Sequence, residues 1–127
     1  MDAASVKAPQ NFKDLLVWQR GMELAKRIYE VTQIFPSDER FGLVAQMRRC
    51  AVSVPSNLAE GQARHTTREF VQFISHSEGS LAELETQLLL SVEIGYCNLS
   101  DVEGTLASME ELRKMLNSLR RKLSDNR

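Results

Sequence analysis

The spacing of apolar residues constrains this chain more than any other feature. Val44, Met47, Ala51, Val54 and Leu58 follow one another at steps of 3, 4, 3 and 4, the interval that keeps side chains on one face of an α-helix. The pattern returns in Phe70, Phe73, Ser77, Leu81, Leu84 and Leu88, and again in Val102, Leu106, Met109, Leu112, Leu116, Leu119 and Leu123. No stretch carries the strict alternation of a half-buried strand. The first helical segment, predicted from Asp14 to Gln33, has two neighbouring apolar stripes: Leu15, Trp18, Met22, Ala25 and Tyr29, beside Val17, Leu24, Ile28 and Val31. Together they span roughly half the circumference, more than the ~100° arc of an ordinary surface helix. Three neighbouring helices should not need so wide an arc, so helix 1 is expected to face a further partner.

Punctuation separates the segments. Pro36 disfavours helical geometry at Phe35 and ends the first helix. Ser37, followed by Asp38 and Glu39, reads as the N-cap of the second. Pro55 falls inside the second stripe and cannot donate to the carbonyl of Ala51. The stripe keeps its phase through Pro55, so one kinked helix is expected rather than two, with Gly61 near its C-cap. Thr66-Thr67-Arg68-Glu69 and Ser100-Asp101-Val102-Glu103 read as capping boxes for helices 3 and 4, and Gly95 as the stop of helix 3. Short loops between long helices imply antiparallel neighbours. The expected fold is an all-α, up-down four-helix bundle over residues 14–124, with a loose arm at 1–13 and a tail at 125–127.

Of the 127 residues, 43% are hydrophobic and 26% charged, which suits one globular domain. The net charge of −1 gives the whole chain no bulk attraction to nucleic acid or anionic lipid. No apolar run is long enough to cross a bilayer and no secretory signal is visible, so no membrane association and a cytoplasmic location are expected. Cys50 and Cys97 form no C-x-x-C pair and read as small core residues.

Candidate chemistry is sparse. Neither His65 nor His76 follows a Glu at the spacing of a bundle di-metal site, and on one helix they would stand roughly 16 Å apart. No nucleophile elbow, Cys/His signature or phosphate-cradling glycine loop occurs. These patterns predict a protein that is not an enzyme and needs no cofactor or metal. Two other groupings are candidates for function. Ser53, Pro55, Ser56, Asn57 and Glu60, with Glu83 from helix 3, form a polar cluster around the proline. It serves either to satisfy freed backbone groups or to hold a ligand. Arg48, Arg49, Arg64, Arg68, Arg113, Arg120, Arg121 and Lys122 form basic patches able to track phosphates, though aromatic residues for base stacking are not interleaved with them. For an oligomer interface the candidates are Leu15, Trp18, Met22, Val17, Leu24 and Ile28 of helix 1.

Several ordered motifs resemble one family. They are Phe12-x-Asp14-Leu15-x-Val17-Trp18-Gln19; Phe35-Pro36-x-x-Glu39-x-Phe41-Gly42-Leu43; Gln46-x-Arg48-Arg49-x-Ala51-x-Ser53-x-Pro55-Ser56-Asn57-x-Ala59-Glu60-Gly61; Gly79-Ser80-Leu81-x-Glu83-Leu84-Glu85-Thr86-Gln87; and Gly95-Tyr96. The chain is similar to the four-helix-bundle proteins named for reading frames in intervening sequences of bacterial large-subunit (23S) rRNA genes. It is distantly similar to the accessory proteins of diversity-generating retroelements, which are markedly basic where this chain is not. The resemblance implies a bacterial protein and a ring-shaped homo-oligomer, a pentamer, of undefined biochemical role. RNA or protein partners are implied, but gene location alone does not establish RNA binding.

Overall fold

The computed structural model describes residues 11–125. Most of the expected N-terminal arm and the last two residues of the tail lie outside them. A single 3-10 turn, Phe12–Asp14, leads into α1 (Leu16–Thr32), and a second, Ser37–Glu39, precedes α2 (Leu43–Gln62). Then come α3 (Thr67–Glu93) and α4 (Leu99–Asp125), with no strand among the described residues. Contacts run round a square, α1 to α2 to α3 to α4 and back to α1, with α2 and α3 most extensively packed and α1 and α4 least. This is the expected all-α, four-helix, antiparallel arrangement. The α1–α2 and α3–α4 loops share one end of it. The α2–α3 loop, the start of α1 and the finish of α4 share the other.

The core follows the apolar stripes closely. Val44, Met47, Ala51, Val54 and Leu58 are all buried, as are Leu81, Leu84 and Leu88 of α3 and Val102, Met109, Leu112 and Leu116 of α4. Ile74, which interrupts the Phe70–Phe73–Ser77 stripe, is also fully buried. On α1 the second stripe goes inward, joined from the first by Ala25. Val17, Leu24 and Ile28 are buried in the chain's own core, so these three offer no surface for an oligomer, contrary to expectation. Burial of side chains this size stabilises by roughly 1.5–3 kcal/mol each.

Element ends correct several sequence expectations. Asp14 ends the first 3-10 turn, and Leu15 takes the N-cap position of α1 without a side-chain hydrogen bond. Ser37 does not open α2. The Ser37–Glu39 turn stands apart, and Glu39 reaches forward so that its Oε1 accepts from the Leu43 N–H at 3.0 Å. The helix 3 capping box is present, Thr66 Oγ1 accepting from the Glu69 N–H at 3.1 Å. The helix 4 box is shifted by two residues: Asp101 Oδ2 accepts from the Asn98 N–H at 3.1 Å, which places the cap at Asn98 rather than Ser100. Gly95 stops α3 with φ +85°, a conformation that favours glycine.

Pro55 lies within α2, which continues unbroken to Gln62. Its ring packs against Gly21 of α1, where an added Cβ would meet it at 3.4 Å. Gly61 is likewise inside the helix and is not its stop. A Cβ there would lie 2.5 Å from Cβ of Phe73. The residue is glycine because α3 approaches too closely for anything larger.

Two tests follow from this packing. Gly61→Ala should destabilise the fold by about 1–3 kcal/mol through overpacking, even though alanine is the better helix former; urea unfolding measures it. The second concerns the loop end, where the Tyr96 hydroxyl donates to Glu39 Oε2 at 2.6 Å and the Tyr96 ring packs on Phe35. That hydrogen bond, with the one from Leu43, holds the Glu39 carboxyl below the usual carboxylate range. A lowered folded-state pKa contributes stability above the ordinary value, and that contribution is lost as pH falls through the folded value. Tyr96→Phe should therefore lower Tm at neutral pH, and its difference from the parent should shrink on acidification below pH ~4. A constant difference across that range would count against the assignment.

Candidate functional site

The polar cluster at Pro55 is built by small side chains turned back onto their own helix. Ser53 Oγ donates to the Cys50 carbonyl at 2.6 Å, and Asn57 Nδ2 donates to the Ser53 carbonyl at 2.7 Å. From α3, the buried Ser77 hydroxyl donates to the Val54 carbonyl at 2.8 Å. Cys50 Sγ crosses the other way and donates to the Ser80 carbonyl at 3.0 Å. The Ser77 hydroxyl and the Cys50 thiol thus tie α2 to α3 beside the proline, where α2 lacks one backbone donor, while Ser53 and Asn57 bond within α2 itself.

The predicted members of the cluster do not converge on one cavity. An open depression of about 380 Å³ lies between α2 and α3, lined by Gln46, Arg49, Cys50, Ser53 and Glu83. Ser56 is exposed, and Glu60 forms an ion pair with Arg64 at 3.0 Å instead of joining the depression. Glu83 accepts from Gln87 Nε2 at 3.4 Å, while the buried Oε1 of Gln87 has no hydrogen-bond partner. Burial, with the nearby Glu83 carboxylate, pushes the Cys50 thiol up to about 11. Burial, with Asp101, raises that of Cys97. A thiol so raised stays protonated at neutral pH and is a poor nucleophile or metal ligand.

The basic residues are dispersed and half of them are occupied. Arg48 donates to Thr32 Oγ1 at 3.0 Å and to the Tyr29 carbonyl at 3.3 Å, with its guanidinium 4.6 Å from the Tyr29 ring centroid. Arg64 pairs with Glu60 and lies over Phe73, Arg113 pairs with Glu110, and Arg120 reaches Glu78 of α3 at 2.6 Å. The Glu110 pairing lowers that carboxyl and raises Arg113. Arg49, Arg68, Arg121 and Lys122 make no ion pair among the described residues. Of these, Arg68, Arg121 and Lys122 lie at the end of the bundle that holds the α2–α3 loop.

Three further open surfaces run along α1. Between α1 and α4 a groove of about 540 Å³ is floored by Leu24 and walled by charges of both signs, with Arg20 bridging to Glu111 at 2.8 Å. Further toward the start of α1, Leu15, Leu16, Met115 and Leu119 line an apolar groove of about 430 Å³ flanked by Lys114 and Lys122. The third is the seam of α1 and α2, where Met22 (48%), Tyr29 (42%) and Val52 (43%) stay exposed beside half-buried Trp18. Trp18 and Met22 are thus the members of the helix 1 set that reach this face. Tyr29, a member of the same helix 1 stripe in the sequence though not among the interface candidates, and Val52 of α2 extend it. Pairing α1 with α2 in the antiparallel register set by Arg48–Tyr29 and Pro55–Gly21 would have found Val52.

Comparison with known proteins is decided by one observation. The family model for the 23S rRNA-intervening sequence protein matches residues 13–118. The chain belongs to that family. A crystal structure of a protein of unknown function from the S23 ribosomal protein family of Bacteroides thetaiotaomicron superposes with a TM-score of 0.74 at 21% identity. The match covers 83% of this chain and 98% of that one. It establishes a shared fold. No curated protein matches the sequence. Within this 23S rRNA-intervening sequence protein fold, the motif around Pro55 is the place where α2 is tied to α3.

The raised Cys50 thiol has a measurable consequence. A raised folded-state pKa contributes stability in full below the unfolded thiol value, and that stability is lost as pH rises through the folded value. Unfolding free energy should fall between pH ~8.5 and about 11, and Cys50→Ala should flatten that slope. At pH 8 the native protein should react with a thiol reagent far more slowly than the urea-unfolded chain.

Proposed function

We propose that this protein is a non-catalytic, homo-oligomeric scaffold of the bacterial cytoplasm whose copies join through the α1–α2 seam. The observation that carries this reading is the continuous apolar stripe of Trp18, Met22, Tyr29 and Val52. Apolar residues aligned along a helix pair, rather than scattered singly, mark an interaction surface. The family resemblance to ring-shaped homopentamers supports the same reading. The non-catalytic part is supported by how the nucleophilic groups are used. The hydroxyls of Ser53 and Ser77 and the thiol of Cys50 are all donated to backbone carbonyls.

A second reading is favoured by Arg68, Arg121 and Lys122, which share one end of the bundle without carboxylate partners. Repeated around a ring, that end would present a belt of cations to RNA, where weak contacts add through avidity.

Multi-angle light scattering at micromolar concentration should give a molar mass several times the 14.4 kDa of one chain. A mass of one chain would overturn the scaffold. A mobility shift with structured ribosomal RNA at low salt distinguishes the two readings. Retardation that Arg68→Glu/Lys122→Glu abolishes supports the second, and its absence rules that reading out.

A further inference from the structure

A pocket of about 380 Å³ lies at the α1–α2 loop, and neither reading above uses it. It stands at the end of the bundle opposite Arg68, Arg121 and Lys122. Buried Phe35 and Val44 give it an apolar wall. Its polar lining includes Gln33, Ser37, Arg40 and Arg48, and no residue that lines it is acidic.

Arg48 is held differently from the arginines bound elsewhere on the bundle. Arg20, Arg64, Arg113 and Arg120 each meet a glutamate. Arg48 is half-buried, and it donates only to neutral oxygens of α1: Nε to Thr32 Oγ1 at 3.0 Å and Nη2 to the Tyr29 carbonyl at 3.3 Å. The Tyr29 ring centroid lies 4.6 Å from the same guanidinium. These contacts fix the orientation of the group but leave its charge unneutralised and Nη1 without a partner. A half-buried cation lacking a counter-charge gains strongly from an anion placed against it.

The rest of the lining is of the same kind. The Arg40 guanidinium, the Ser37 hydroxyl and the Gln33 amide make no hydrogen bond or ion pair among the described residues. Acids of the neighbouring turn are engaged elsewhere. Glu39 accepts from the Tyr96 hydroxyl and the Leu43 N–H, and Asp38 acts on Tyr96. Glu30 of α1 lines the α4 groove. Two guanidinium groups, a hydroxyl and an amide thus share one pocket without a carboxylate.

We propose that this pocket binds a phosphoryl group, as a phosphate monoester or free phosphate, between Arg40 and Arg48. A phosphoryl group brings three acceptor oxygens and a charge of about −1.5 to −2 at pH 7. Two guanidinium forks match it in geometry and in charge. A carboxylate, with two oxygens and a single charge, would leave one fork unanswered. Ser37 and Gln33 supply further donors, and Phe35 and Val44 offer a wall for the body of an ester.

Isothermal titration of the full chain with inorganic phosphate, phenyl phosphate and acetate tests the site, with amide NMR spectra recorded alongside. Phosphate or its ester should saturate, with shifts centred on Gln33, Ser37 and Arg40, and acetate should bind far more weakly. Tighter binding of phenyl phosphate supports a site for an ester seated on the apolar wall; equal binding supports a site for free phosphate. Arg40→Ala should weaken binding about tenfold or more, the worth of one charged hydrogen bond. It should leave Tm unchanged, because that side chain is exposed and joins no hydrogen bond of the fold. Arg48→Lys keeps the charge but loses the fork and should also weaken binding; should it lower Tm by releasing α1, Arg40→Ala alone decides. Arg68→Ala/Lys122→Ala, at the far end, should bind as the parent does. Failure of both phosphates to saturate, acetate binding as tight as theirs, or unaltered binding in Arg40→Ala would overturn the proposal.

Discussion

The close approach of α2 and α3 is the constraint on which the rest of the bundle depends. Gly61 lets the Phe73 side chain lie against the α2 backbone, and an added methyl group would collide with it. Along the same seam Cys50, Ser77 and Ser91 supply small side chains, and their polar atoms bond Ser80, Val54 and, for Ser91, Gln87 and the sulfur of Met47. Small residues bring the backbones together; hydrogen bonds from those same residues then satisfy the polar atoms that the approach buries. With this pair fixed, Pro55 is presented to Gly21, which seats α1, and Glu78 and Glu85 are presented to the arginines of α4.

Much of this was legible in the sequence because helical periodicity is a local property. The stripe Val44–Leu58 kept its phase through Pro55, and every member is buried. The Thr66 cap and the Gly95 stop could be read for the same reason. What could not be read depended on partners far along the chain. Ser37 with two acids after it has the form of an N-cap, but Glu39 is drawn to Tyr96, 57 residues away, and caps Leu43 with its other oxygen. Two capping boxes overlap at the start of α4, and spacing alone does not choose between them. Gly61 carries the usual mark of a helix end, whereas its small size serves the neighbouring helix.

The candidate surfaces divide in the same way. Periodicity revealed that α1 has too much apolar surface, but not which stripe was internal; Val17, Leu24 and Ile28 went to the core and left Trp18 and Met22 outside. The polar cluster was found as a group of residues, yet its chemistry is inward: its donors meet backbone carbonyls, and its expected members Ser56 and Glu60 turn elsewhere. The basic positions were correct as a list of cations. Their meaning changed once Glu60, Glu78 and Glu110 were seen to neutralise three of them. Fold-level likeness to the S23 family structure agrees with the architecture and adds nothing about chemistry.

The contrast between the two remaining walls has a mechanical side. The α2–α3 wall is held by backbone proximity, so its helices cannot move relative to one another without steric collision. The α1–α4 wall is spanned instead by long side chains, Arg20 to Glu111 over an open groove and Arg27 close above Gly104. Such side chains change rotamer at little energetic expense. The bundle therefore has a stiff wall and a compliant one. Deformation of the bundle falls on the compliant wall and spares the motif around Pro55.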